Sequence, residues 1–107
     1  MKRLVLFSLL IWPSIVLAEV YTLTHEQWSV PRSVEVILDM PPVRAAINDF
    51  NQAEQSRLRL HYPGGDMGSL WIHELKSWLV ALGVPENHIE SIPGTEEKMT
   101  IKLEVVL

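Results

Sequence analysis

Between Arg57 and Pro93 the chain sets down a strand, a glycine-rich turn, a helix and a stop in unbroken succession, and this run limits what the rest can become. In Arg57-Leu58-Arg59-Leu60-His61-Tyr62, Leu58, Leu60 and Tyr62 alternate with Arg57, Arg59 and His61. That is the pattern of a strand with one face in a core and the other in water. Pro63-Gly64-Gly65-Asp66-Met67-Gly68-Ser69 ends the alternation. Beyond it Trp71, Leu75, Trp78, Leu79 and Leu82 recur at helical spacing, with His73, Glu74, Lys76 and Ser77 opposite. Gly83 supplies a left-handed residue to close the helix, and Pro85 prevents its resumption.

The flanking segments read as the remainder of one small layer. Glu19 to Leu23 alternates weakly and suits a short edge strand or an unpaired arm. Trp28 is expected as a lid over one end of the core. Ser33 to Met40, rich in Val, Ile and Leu, is expected as a half-buried strand. Pro41-Pro42 then suits the first turn of a helix capped by Asp39 or a neighbour, whose Val43, Ala46, Ile47, Phe50 and Ala53 face inward. After the second helix come a short return over His88 to Ile92, a Pro93-Gly94 turn, and a last strand from Lys98 to Val106. In that strand Met99, Ile101, Leu103 and Val105 point inward, and the last two strands can form an antiparallel hairpin. The expected fold is α+β, a β-α-β-α-β-β two-layer sandwich with two helices on one face of a mixed four-stranded sheet.

Residues 1–18 have the three parts of a secretory signal peptide: Lys2 and Arg3, an apolar run from Leu4 to Leu17, and Val16-Leu17-Ala18 as a cleavage box. A spanning helix needs about 20 apolar residues, and Pro13 interrupts this shorter run, so no membrane span is expected after cleavage. Residues 19–107 are then a single domain. The chain has no cysteine, so it relies on its core without a disulfide or a lipid-bearing thiol, which favours a bacterial periplasm over a eukaryotic secreted setting. Without Lys2 and Arg3, seven basic residues face 13 acidic ones, a formal charge of −6. Nucleic acid and anionic lipid, which need a concentrated basic patch, are poor partners for it, and no nucleic acid is expected.

Few residues suggest chemistry. The turn with Gly65, Asp66, Gly68 and Ser69 can offer backbone N–H groups at a helix start to a carboxylate or phosphate, although Asp66 or Ser69 is expected to cap the helix itself. It lacks the lysine of a phosphate-binding loop and the dinucleotide-binding fingerprint. His25, His61, His73 and His88 fall into no metal-ligand spacing, so no metal or other cofactor is expected. With no thiol, no Gly-x-Ser-x-Gly elbow and no paired carboxylates, the chain is expected not to be an enzyme. The wet side of the sheet, with Arg57, Arg59, His61 and Lys102, is the largest flat surface available for docking.

The strand Leu58 to Tyr62, the turn Gly65-Asp66-Met67-Gly68, the helix end Trp78-Leu79-Val80-Ala81-Leu82-Gly83-Val84-Pro85 and the return through His88-Ile89 to Pro93-Gly94 resemble the second half of the OmpA C-terminal-like, peptidoglycan-associated domain. With the preceding strand and helix, the similarity of order covers about Ser33 to Gly94. The resemblance implies the same β-α-β-α-β-β fold and a site in which an aspartate of the turn and an arginine early in the next helix hold the diaminopimelate of peptidoglycan. Asp66 stands in the first place. The second falls on Trp71, and the segment between turn and helix is shorter by several residues. Expected from all of this is a small exported, periplasmic, non-catalytic accessory or adaptor protein that docks on a protein partner of the cell envelope, in a secretion, pilus or conjugation-type assembly. The alternative is a peptidoglycan-binding OmpA-like module.

Overall fold

The computed structural model describes residues 18–107; the apolar run and most of the cleavage box lie outside them. Strand β1 (Ala18–Thr24) is followed by helices α1 (His25–Trp28), α2 (Val34–Asp39) and α3 (Pro41–Phe50), strand β2 (Arg57–Tyr62), helix α4 (Gly65–Ala81), a 3-10 turn at Glu86–His88, and strands β3 (Ile89–Pro93) and β4 (Thr100–Val106). The four strands form one mixed sheet in the order β1-β4-β2-β3. Strand β4 runs antiparallel to both β1 and β2, and β3 runs parallel to β2 across the α4 crossover.

The order β-α-β-α-β-β stands, but its first strand is β1 and not Ser33 to Met40. That segment is helical: Ser33, in extended backbone, caps α2 by accepting a hydrogen bond from the Val36 N–H. The β-branched run Val34-Glu35-Val36-Ile37 favours a strand by propensity, but an edge is already taken by β1, and one turn of helix buries Ile37 completely against α3. Met40 then returns to extended backbone, as a residue before proline must, and α3 starts at Pro41 with Met40 as its N-cap. The expected hairpin of the last two strands is also replaced, because β2 lies between β3 and β4. The connection passes over the end of β2, where the Tyr62 carbonyl accepts hydrogen bonds from the N–H groups of Gly94 and Thr95 at 2.9 and 3.1 Å.

All the helices lie on one side of the sheet. Val43, Ala46, Ile47 and Phe50 of α3 and Trp71, Ile72, Leu75 and Leu79 of α4 share a single core with Leu23, Leu58, Leu60, Ile101, Leu103 and Val105 of the strands. A fully buried leucine such as Leu75 contributes about 1.5–3 kcal/mol, so this one cluster carries the fold. Trp28 closes an end of it, with the Arg32 guanidinium 4.7 Å from the ring centroid. Arg32 also makes a two-pronged ion pair with Glu74 on α4, at 2.7 and 3.2 Å, and donates to the carbonyls of Trp28 and Val30. The loop before α2 is thereby tied to α4.

Candidate functional site

With the helices stacked on one side, the other side of the sheet is left without a covering layer among the described residues. Strand alternation places Arg57, Arg59 and His61 of β2, Lys102 and Glu104 of β4, Val20 and Thr22 of β1, and Glu90 of β3 on that outer face. All four residues of the expected docking face are therefore brought together. Three of them face a carboxylate, and the fourth, Arg57, an uncharged backbone carbonyl. His61 Nε2 is 2.9 Å from Glu104 Oε1, Lys102 Nζ is 2.6 Å from Glu97 Oε1, and Arg57 Nη2 donates to the Asn87 carbonyl at 3.2 Å. Arg59 Nε is 3.4 Å from Glu90 Oε1, close enough for charge attraction but not aligned for a hydrogen bond, and this buried N–H has no other partner among the described residues.

The Lys102–Glu97 pair also holds down the β3–β4 connection, residues 94–99, at one end of the face. The segment leaves β3 through Gly94 in left-handed backbone and enters β4 through Met99, the one non-glycine described residue with positive φ, at 59°. The carbonyl of Met99 accepts a hydrogen bond from the His25 N–H at 2.9 Å, which fixes that exit. Beneath the segment lies a hollow of about 430 Å³ lined by Val20, His61, Thr95, Glu97, Lys102 and Glu104. Thr95 Oγ1, on its wall, is buried without a hydrogen-bond partner among the described residues. Nothing in the residues 94–99 marks them by sequence alone as the rim of a hollow, and the sequence reading missed them.

The turn residues have a different fate. Helix α4 begins at Gly65, and its N-cap is Gly64, with no side-chain hydrogen bond. The expectation that Asp66 or Ser69 caps the helix is thus corrected: both lie inside the first turns and are exposed, and the N-cap position is held by a glycine. Gly65 has φ of +90°, which glycine adopts at least cost. A Cβ on Gly68 would sit 1.8 Å from the Pro63 carbonyl oxygen, so that glycine serves close packing of turn on helix. Trp71, where the resemblance puts an arginine, is buried and meets the His25 ring edge-on at 5.1 Å. That position brings no cation to Asp66.

The other histidines serve packing and local bonding. His88 Nδ1 lies 3.1 Å from the Ser56 carbonyl oxygen, with its ring against Phe50, and His73 is exposed on α4. Among the described residues no three His, Asp or Glu side chains gather as a metal site. On the helix side, Tyr21 donates a short hydrogen bond to Asp49 of α3. That bond, with burial and the nearby carboxylate charge, pushes the phenol up to about 12.

No protein-family model, curated protein or solved structure matches the chain.

Proposed function

We propose that this is a small exported, non-catalytic accessory protein that docks on a protein partner of the cell envelope through the outer face of its sheet. The observation that carries the reading is that face: a charge-laddered surface, uncovered among the described residues, with a hollow at one end and two buried polar atoms, Arg59 Nε and Thr95 Oγ1, that have no hydrogen-bond partner among those residues. Buried polar groups are satisfied in the great majority of cases, so such atoms suit an acceptor supplied from outside. The ion pairs across the face are half-exposed and each contributes only about 0–1 kcal/mol to stability. Their more useful effect is to hold long side chains in fixed positions, which lowers the ordering cost of docking. Export rests on Lys2, Arg3 and the apolar run up to Ala18. No helix of the described residues is long and apolar enough to cross a membrane.

The test is site-specific photocrosslinking in cells, with the reactive side chain placed at Arg59 or at Ser77 on the exposed side of α4. A discrete adduct from position 59, absent from position 77 and lost on Glu90→Arg, supports the proposal. Equal, diffuse adducts from both positions overturn it. A second reading, binding of peptidoglycan, has one observation in its favour: the start of α4 has no side-chain cap, leaving first-turn N–H groups beside exposed Asp66. Retention of the purified protein on sacculi, abolished by Asp66→Ala, would replace the docking reading with that one.

A further inference from the structure

Strand β1 is an edge strand with few of the usual devices against further pairing, its one charged side chain, Glu19, standing at its start. It runs for seven residues in unbroken antiparallel register with β4 on one side, and contains no proline, no lysine and no bulge. The opposite edge is blunted: β3 has five residues, ends in Pro93 and carries Glu90. The N–H and C=O groups along the outer edge of β1, unpaired among the described residues, therefore form the available template for one more strand.

We propose that the occupant is β1 of a second copy of this chain, paired antiparallel about a two-fold axis at Tyr21. The five residues Glu19-Val20-Tyr21-Thr22-Leu23, all of which remain after cleavage at Ala18, are suited to meeting themselves in that register. On the outer face each Val20 stands opposite a Thr22, two residues of high strand preference, and Val20 is 52% exposed in the single chain. On the inner face the two half-buried Tyr21 rings meet across the axis. The only charged side chain on the strand, Glu19, falls opposite Leu23, so the two carboxylates stay at opposite ends of the ladder and no like charges face each other. An isologous contact of this kind closes on itself and gives a dimer, not a fibre. The two sheets become one layer of eight strands, with both outer faces on the same side. This inference stands on the strand edge and does not depend on how the outer face is used.

The test is sedimentation velocity of the purified exported chain over a range of concentrations, with amide exchange of β1 followed in parallel. The expected result is a species of two chains in which both alternating sets of β1 amides are protected, the outward set losing protection on dilution. Val20→Lys with Thr22→Lys puts lysines opposite each other across the axis at exposed positions and is expected to weaken self-association about tenfold. Val20→Lys with Thr22→Glu makes the same pairs complementary and restores it. Far-UV circular dichroism checks that both variants stay folded. A single chain at every concentration, a dimer indifferent to the two-lysine change, or pairing of β1 only with an added strand of foreign sequence would each overturn the proposal.

Discussion

Single residues at the start of α4 show how little tolerance and how much slack can lie side by side. Gly68 has the Pro63 carbonyl oxygen where its Cβ would be, whereas a Cβ on Gly64 would meet nothing within 4 Å. Gly68→Ala is expected to destabilise by about 1–3 kcal/mol, since backbone rather than a pliable side chain must move. Gly64→Asp, which supplies the missing cap, is expected to stabilise by about 0.5 kcal/mol. Denaturant midpoints of the two variants check both values. Tyr21 carries a pH dependence of known sign. Its hydroxyl is held in the protonated form by Asp49, so the folded value lies above the ordinary phenol value of 10.0, at about 12. The stabilisation is complete below pH 10 and is lost as pH rises from there through about 12. In a Tyr62→Phe background, the tyrosinate absorbance of Tyr21 is expected to appear near pH 12 and to fall back toward 10 on Asp49→Ala.

Among the elements, those whose periodicity and burial agree were legible in the sequence. Strand β2 occupies Arg57–Tyr62 as read, and Val43, Ala46, Ile47 and Phe50 of α3 and β4 from Ile101 onward face inward as their spacing predicts, whereas Ala53 lies beyond the end of α3 and is exposed. Helix α2 was not legible, because Val, Ile and Leu in quick succession favour a strand locally, and only the position of β1 and the packing on α3 decide otherwise. The local clue was Ser33, a good N-cap set three residues before Val36. Ser33→Ala is expected to cost about 1 kcal/mol, measured by chemical unfolding, where a strand at this place would be nearly indifferent. Helix α1 was signalled just as locally. Thr24 and Gln27 form a capping box in which each side chain bonds the other's backbone N–H, at 3.1 and 2.9 Å. The outer-face residues Arg57, Arg59, His61 and Lys102 were legible because strand alternation fixes a face. Of their acidic partners Glu104 was legible by the same alternation, whereas Glu90 and Glu97 were not, because they come from segments whose placement depends on the whole sheet.

For the molecule as a whole, the consequence lies in where β4 sits. The strand that comes last in order occupies a central place, hydrogen-bonded on one side to β1 and on the other to β2. Until it arrives, the opening strand has no neighbour in the sheet, and β2 can pair only with β3. Emergence from a ribosome or a membrane pore therefore cannot complete this sheet piecemeal from the front. The leading segment must wait, threadable and unfinished, for the trailing one to slot between its two neighbours.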